Sequence, residues 1–214
     1  AINAKYIHSN LAVYSLRAFA NAYRDQIEIA EYTINQQLDD ILMDLYKKKP
    51  DVLCFSCYIW NLTYVEDLIR EIKKIFPELP IWVGGPEVSY DAKDVLARLP
   101  EVTGVMFGEG EETFLELMEH YNREGKELAE IKGIAYRTVD GEIQQNEWRK
   151  TIDLSTVPFV YHDMEDFKNR CHVFLQDENN QIYLQISAFS CIIKVSYTLA
   201  FKGEIIMRFL RVTA

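Results

Sequence analysis

The sequence has little of what membrane-spanning, collagen-like or disulfide-stabilised proteins need. Its 214 residues include 9 glycines, 6 prolines and 4 cysteines, and no stretch approaches the roughly 20 consecutive apolar residues of a membrane span. Few glycines and prolines exclude collagen-like and low-complexity chains. Four cysteines without a secretory signal pattern predict a reduced, cytoplasmic protein rather than a disulfide scaffold.

Basic clusters are also scarce. Lys and Arg together number 23 against 33 Asp and Glu, which gives a formal net charge of −10. The only lysine run, Lys47 to Lys49, falls at a predicted helix end, where cations complement the helix dipole. An acidic chain has no general electrostatic attraction to nucleic acid or to anionic membrane, and we expect neither as a partner.

Strand and helix patterns alternate over residues 1–126. Apolar residues at helical spacing separate short apolar runs that suit buried parallel strands. The strand runs are residues 27–34, 52–56, 81–83 and 104–107, with residues 1–3 as the tail of a further strand. This alternation predicts a flavodoxin-like, doubly wound α/β fold with a five-stranded parallel sheet. Ligands of such sheets bind at the carboxyl ends of the strands, so the loops that follow the strands are the candidate site.

The pattern changes after residue 126. Residues 133–137 and 142–146 alternate in hydropathy around Asp140 and Gly141, which is a strong signal for a β-hairpin with a two-residue loop. The strand-like tail carries no clear helix pattern, and its exposed strand edges predict self-association. We predict an α/β domain over residues 1–126, a C-terminal β-hairpin extension with a linker over 127–185, and an atypical tail over 186–214.

The loop after the third predicted strand contains a Cys-x-x-Cys pair, Cys54 and Cys57. Successive side chains of an extended segment point to opposite faces, and a metal site needs a second ligand pair that the sequence does not supply. We therefore interpret both cysteines as small buried residues near the sheet edge. Ser56, at the end of the same strand, is a small hydrogen-bond donor.

Glycine-rich loops follow the next two strands. Gly84 and Gly85 allow a ligand to approach the backbone closely, or they form a plain tight turn. The run of Gly108 to Thr113 offers backbone amides and a helix N-terminus to a polar group, and its carboxylates argue against a phosphate there. A receiver domain is excluded because Asn3 replaces the acidic pair that this class needs after the first strand.

Two motifs together resemble a known family. Residues 82–87 read Trp-Val-Gly-Gly-Pro-Glu, and residues 105–113 read Val-Met-Phe-Gly-Glu-Gly-Glu-Glu-Thr. With residues 131–137 and 153–159, they resemble the N-terminal cobalamin-binding domain of bacterial radical S-adenosylmethionine proteins. The branch is that of the anaerobic magnesium-protoporphyrin IX monomethyl ester cyclases and the cobalamin-dependent methyltransferases, and the resemblance covers about residues 1–185.

The resemblance implies that cobalamin lies at the strand ends, with its corrin or nucleotide tail against glycine backbone. His8 would be the cobalt ligand, although the Asp and the Gly of the usual Asp-x-His-x-x-Gly pattern are missing around it. By position, the implied cofactor contacts are His8, Asn10, Ser56, Cys57, Gly84, Gly85, Pro86, Gly108, Glu109, Gly110 and Thr113.

One departure limits the expected activity. The family's catalytic barrel opens with Cys-x-x-x-Cys-x-x-Cys, whose thiolates hold an iron–sulfur cluster; in the corresponding stretch only Cys191 is present. We expect a cobalamin-binding domain that is not catalytic by itself, with S-adenosylmethionine and the cluster belonging to a full-length parent. The alternatives are FMN in the same crevice, or an apo module for protein interaction or self-association. The positions of Tyr58 and Trp60 distinguish these alternatives. If the two side chains fill the crevice, the module is empty; if they flank an open crevice, a flat ligand can stack there.

Overall fold

The computed structural model describes residues 1–4 and 10–158 in full, and the backbone of the strands at residues 182–189, 194–202 and 204–206. The chain divides into two compact units, Ala1–Pro158 and Phe159–Ala214. No helix of the described residues is long and apolar enough to cross a membrane. The second unit contains an antiparallel sheet in the order β10-β9-β8, from β8 (Ile182–Phe189), β9 (Lys194–Lys202) and β10 (Glu204–Ile206).

The first unit alternates strands and helices, as predicted. Its elements are β1 (Ile2–Asn3), α1 (Leu11–Phe19), β2 (Tyr32–Thr33), α2 (Leu38–Lys48), β3 (Leu53–Ser56), α3 (Leu62–Ile75), β4 (Ile81–Gly84), α4 (Ala92–Arg98), β5 (Gly104–Met106), α5 (Glu111–Tyr121), β6 (Ile134–Arg137) and β7 (Ile143–Gln145).

The main sheet has five strands in the order β3-β4-β5-β6-β7. Strands β3, β4 and β5 are parallel, whereas β6 and β7 run antiparallel to their neighbours. Strands β1 and β2 form a separate parallel pair. The expectation of one continuous sheet of five parallel strands is therefore corrected, because the ladder is interrupted between β1 and β3 and the hairpin completes the main sheet.

Two predicted features are shorter or longer than expected. The predicted strand at residues 27–34 contributes only Tyr32 and Thr33, because β1 lies beside it only at Ile2 and Asn3. The loop of the β6–β7 hairpin has three residues rather than two, since the Thr138 amide donates to the Glu142 carbonyl. Gly141, with φ of 84°, supplies the left-handed residue that a three-residue loop requires.

Alternate residues of the sheet enter two separate cores, one on each face. The first core packs against α2, α3 and α4, and the second packs against α1 and α5. The apolar face of α3 is buried in the first core at Val65, Ile69 and Ile72. Each such side chain contributes roughly 1.5–3 kcal/mol through burial, so both faces of the sheet are fixed and its carboxyl edge is left for the loops.

The side chain of Asn61 joins the two sheets. Its Nδ2 donates to the carbonyl of Ile2 at 2.8 Å and to the carbonyl of Ser56 at 3.0 Å, and its Oδ1 accepts from the Tyr58 amide at 2.8 Å. Asn61 is fully buried. It therefore replaces, with one amide group, the ladder that β1 and β3 do not form.

Replacing Asn61 by Ala leaves the buried Ile2 carbonyl, the half-buried Ser56 carbonyl and the Tyr58 amide without this partner. We expect the free energy of unfolding to fall by about 2–3 kcal/mol, because unpaired buried polar groups carry their full desolvation cost. Urea unfolding followed by tryptophan fluorescence measures this, since Trp60, Trp82 and Trp148 all lie in the first unit. Asn35→Ala, at an exposed position, is the matched control; a change within 0.5 kcal/mol for both variants contradicts the bridging role.

Candidate functional site

Three predicted loops meet at the carboxyl edge of the parallel strands. Ser56 is the register partner of Gly84, and Gly84 is the register partner of Met106, so the last residues of β3, β4 and β5 form one row. Ser56 is half-buried and Pro86 is exposed. The loops that follow these strands therefore begin at one edge of the sheet, and this edge is the candidate site.

Gly84 ends β4, and Gly85 directly follows it in a left-handed conformation. Gly85 has φ of 111°, and a Cβ there would lie 2.5 Å from the carbonyl oxygen of Cys57. The Cys57 amide donates to the Gly84 carbonyl at 2.7 Å. Glycine at position 85 is therefore required by the close approach of two loops of the protein itself. The conformation of Gly85 therefore favours the turn interpretation over the need for a ligand to approach the backbone.

Of the Cys-x-x-Cys pair, Cys57 is buried, as interpreted from the sequence, and Cys54 is half-buried. Cys57 is fully buried in the first core, and Cys54 packs against the second, so the two side chains lie on opposite faces. Burial raises the pKa of each thiol to about 12. Both thiols are therefore neutral near pH 7, and the described residues contain no cluster of His, Cys, Asp and Glu that could hold a metal ion.

The carboxylates of the loop after β5 are engaged by other parts of the chain. Glu109 Oε2 accepts from the Ile152 amide at 2.5 Å. Glu111 Oε1 accepts from the Ser15 hydroxyl at 2.9 Å, which attaches α1 to the start of α5. These side chains therefore hold neighbouring segments, and they do not point freely into the strand-end crevice.

The side chain of Arg149 contacts residues in the first turns of α5. Its Nε donates to the Thr113 hydroxyl at 2.9 Å and its Nη1 donates to Glu112 at 3.0 Å, while its Nη2 pairs with Glu116. Thr113 is fully buried, and its hydroxyl also donates to the Lys132 carbonyl at 3.2 Å. The hydroxyl that the sequence suggested as a cofactor contact thus has two partners within the protein.

His8 lies outside the described residues, but both flanks of its loop are held by one carboxylate. Glu31 Oε1 accepts from Asn3 Nδ2 at 3.1 Å and from the Asn10 amide at 2.7 Å. Glu31 Oε2 accepts from the Tyr14 hydroxyl at 2.6 Å. The loop after β1 is therefore closed at its base by a single half-buried side chain.

Two buried polar atoms near this carboxylate lack a partner. They are Asn10 Oδ1 and Thr33 Oγ1, and neither has a hydrogen bond in the part of the chain that the structure describes. Thr33 is the register partner of Asn3, which shares Glu31 with Asn10. Buried atoms of this kind take ordered water or a ligand group as partner, which keeps Asn10 on the list of candidate contacts.

Aromatic side chains stand at the same edge. The rings of Tyr58 and Trp60 are stacked, with centroids 4.5 Å apart and planes 7° from parallel. Trp60 is 45% exposed, and Ile59 between them is 79% exposed. The stacked pair is thus partly exposed at the end of β3, with Tyr58 half-buried and Trp60 more exposed.

Three residues that organise the edge were missed by the sequence analysis: Glu31, Asn61 and Arg149. Asn61 directly precedes a helix pattern, a position where Asn is favoured, and this signal could have identified it. The partners of Glu31 and Arg149 lie 17 to 37 positions away along the sequence. No local pattern marks such distant pairs.

Comparison with known proteins identifies the family. Residues 1–118 match the model of the B12 binding domain. The chain belongs to this family. The matched span includes the three strand-end loops and the base of the loop after β1. Cobalamin is the ligand after which the B12 binding domain is named, and the edge described above is where this domain's loops converge.

Relatives of this B12 binding domain are much longer proteins. The carbapenam methyltransferase of Streptantibioticus cattleyicolor, named for 2-(S-pantetheinyl)-carbapenam-3-carboxylate, is 34% identical over 41% of this chain and 13% of its own length. The hopanoid C-3 methylase of Methylococcus capsulatus is 36% identical over 48% of this chain and 20% of its own length. The chain thus spans about a fifth or less of these relatives.

Solved structures show the same fold at low sequence identity. The apo form of OxsB, a cobalamin-dependent S-adenosylmethionine radical enzyme, superposes with a TM-score of 0.62 at 19% identity, covering 81% of this chain and 24% of that one. OxsB with aqua-cobalamin and S-adenosylmethionine gives 0.59 at 18% identity, covering 73% and 23%. The B12 binding domain described here therefore shares its fold with part of this cobalamin-dependent radical enzyme.

The buried thiols generate a prediction about reactivity. With pKa values of about 12, only about 1 in 10,000 of the Cys54 and Cys57 thiols is ionised at pH 8, against roughly a quarter for a free cysteine. We expect iodoacetamide to alkylate them about a thousandfold more slowly in the folded chain than in urea, as measured by peptide mass spectrometry. Equal rates in both conditions contradict the buried, structural role.

Proposed function

We propose that the chain binds cobalamin at the carboxyl edge of β3, β4 and β5. The observation that carries this proposal is the stacked pair of Tyr58 and Trp60, with Trp60 45% exposed, in the loop after β3, whose last residue Ser56 is the register partner of Gly84. A corrin is a flat, largely apolar macrocycle rimmed by amide groups, and it suits an edge that offers aromatic faces and uncharged backbone.

The polar groups near this edge also suit a ligand without net charge. The nearby carboxylates Glu31, Glu109 and Glu111 are taken up by hydrogen bonds within the protein, so they leave little unpaired negative charge toward the ligand. Asn10 Oδ1 and Thr33 Oγ1, both without a partner among the described residues, suit the amide and hydroxyl groups of cobalamin. The residues present therefore fit the group.

We further propose the flavodoxin-like arrangement for this domain, with β1 placed beside β3. In support, α1 and α5 cover one face, while α2, α3 and α4 cover the other. The Asn61 side chain attaches the end of β1 to the end of β3. In such a doubly wound sheet the crevice opens where the strand order reverses, and here that point lies between β1 and β3.

The residues proposed to hold the cofactor form two groups. Backbone and small side chains of the three strand-end loops line the corrin or its tail, and the loop after β1 supplies the remaining contacts, with His8 as the cobalt ligand implied by the resemblance. We leave the fully buried side chains of Cys57 and Thr113 out of the contact surface. The proposed contacts are His8, Asn10, Ser56, Gly84, Gly85, Pro86, Gly108, Gly110 and the backbone of Glu109.

Bound cobalamin supplies a cobalt centre that carries a methyl group or assists radical chemistry. The chain's own residues bind and orient the macrocycle, and the aromatic pair excludes water from the side it covers. We propose that residues 1–126 are the cofactor domain, that residues 127–185 lead toward a catalytic barrel, and that the chain is not catalytic by itself. Methyl transfer or oxidative cyclisation, S-adenosylmethionine and the iron–sulfur cluster belong to the longer parent.

A second candidate function is self-association as an apo module. The order β10-β9-β8 places β8 and β10 at the edges of the sheet of the second unit, and free strand edges promote pairing between chains. This candidate predicts a dimer or larger species with or without cobalamin. Gel filtration in the cobalamin experiment below therefore tests both functions with one sample.

We expect the full chain to bind hydroxocobalamin saturably in a visible-absorbance titration and to co-elute with it in gel filtration. Trp60→Ala should weaken binding roughly 3- to 10-fold, because a stacked aromatic contact is lost. Tyr46→Ala is the matched control, since Tyr46 is a similarly exposed aromatic residue on α2, 54% exposed, away from the strand ends. Its affinity should equal that of the unchanged chain.

Folded chain that retains no hydroxocobalamin refutes the proposed function. A titration with FMN then tests the remaining cofactor class, and retention of FMN instead of hydroxocobalamin assigns the crevice to a flavin. Equal weakening by Trp60→Ala and Tyr46→Ala contradicts the placement of the ligand at the strand ends, even if cobalamin binds.

A further inference from the structure

We infer that Trp148 forms an additional wall of the cobalamin site, and that Arg149 is the positioning residue that holds it there. The inference rests on the proposed function. Trp148 lies outside residues 1–118, the span that matches the B12 binding domain. Its contribution therefore comes from the segment after β7 and not from the matched domain.

The indole of Trp148 is placed at the strand-end edge by two loops. Its ring centroid lies 4.6 Å from that of Phe107, the first residue after β5, and 6.3 Å from that of Tyr90 in the loop after β4. The position of a Cβ on Gly108 is 3.5 Å from the same indole. Trp148 thus covers the backbone of the glycine loop that the sequence analysis proposed as a cofactor contact.

Trp148 is 49% exposed although it contacts these loops. A large, rigid, apolar side chain that stays half-exposed at the edge where ligands bind offers a ready-made contact surface at low conformational cost. Tyr58 and Trp60 offer a comparable surface after β3. A flat ligand at this edge would therefore meet aromatic side chains both after β3 and near the loop after β5.

The segment that carries Trp148 is fixed on both sides of the indole. Arg149, whose side chain is 12% exposed, pairs with Glu112 and Glu116 of α5. On the other side, the Gly133 amide donates to the Glu147 carbonyl at 2.8 Å. The backbone of Trp148 is thus held between a hydrogen bond to residue 133 and the guanidinium on α5.

Arg149 performs this role better than Lys because its planar guanidinium reaches three partners at once. Its nitrogens contact the Thr113 hydroxyl and the two carboxylates in a forked geometry that a single ammonium group does not reproduce. The pairing also takes up the charge of Glu112 next to the loop. An apolar ring of the ligand can then approach Trp148 without a free carboxylate beside it.

The chemistry that Trp148 recognises is a flat conjugated ring. Cobalamin offers two of these, the corrin and the base of its nucleotide tail. Cobinamide, which has the corrin without the nucleotide tail, separates them. Loss of affinity for both ligands places Trp148 against the corrin, and loss for cobalamin alone places it against the base; either result supports the inference.

The test compares variants of the full chain in visible-absorbance titrations with hydroxocobalamin and cobinamide. Trp148→Ala should weaken hydroxocobalamin binding about 3- to 10-fold, and Trp148→Phe should stay within about twofold of the unchanged chain because it retains an aromatic face. Leu154→Ala is the matched control, since Leu154 is an apolar residue later in the segment after β7 and 65% exposed. It should not change the affinity.

The positioning role of Arg149 is tested by a double-mutant cycle. Arg149→Met should weaken binding by about as much as Trp148→Ala, and the double variant should be no weaker than either single variant, because both changes remove the same contact. A purely structural role for Arg149 predicts instead that the two losses multiply. Circular dichroism establishes that each variant is folded before it is titrated.

Two outcomes overturn the inference, and they are distinguishable. If the unchanged chain binds hydroxocobalamin and Trp148→Ala binds it equally well, Trp148 is not part of the site, while the proposed function stands. If the folded, unchanged chain does not bind hydroxocobalamin at all, the proposed function fails and the inference fails with it.

Discussion

The amide side chain of Asn61 is the contact on which the architecture of the candidate site depends. Strands β1 and β3 are not paired through their backbones in the described structure, yet the crevice of a doubly wound sheet requires their ends to lie together. Asn61 satisfies the carbonyls of Ile2 and Ser56 with its two donor hydrogens, and accepts from Tyr58. One buried group therefore fixes the distance between two strand ends and the conformation of the loop that carries the aromatic pair.

The loop after β5 has a different role from the one its composition suggests. Its acidic residues lie at a helix N-terminus, where negative charge is favourable, and each contacts another segment of the chain. Glu111 holds α1, Glu109 holds the backbone at Ile152, and Glu112 pairs with Arg149. The motif therefore acts as the attachment point for the segment after β7, and it places Trp148 over Gly108.

The sequence was a good guide wherever local periodicity decided the structure. Alternation along the strands assigned Cys54 and Cys57 to opposite cores, and the rule that ligands bind at the carboxyl ends of parallel strands selected the loops at Ser56 and Gly84. Periodicity did not show how far a strand pairs, because pairing depends on the neighbour. The two-residue length of β2 and the gap between β1 and β3 follow from such neighbours, and the roles of Glu31 and Arg149 follow from contacts between distant residues.

The direction of the hairpin has a consequence for whatever the polypeptide carries next. Strand β5 ends at the carboxyl edge, β6 returns to the opposite edge, and β7 brings the chain back to the carboxyl edge. With β6 alone, the chain would leave about 10–13 Å away, on the far side of the sheet. Two antiparallel strands thus start the tether of any following group at the same sheet edge as the candidate site. A short tether raises the effective concentration of a reaction partner on the same polypeptide without any further contact.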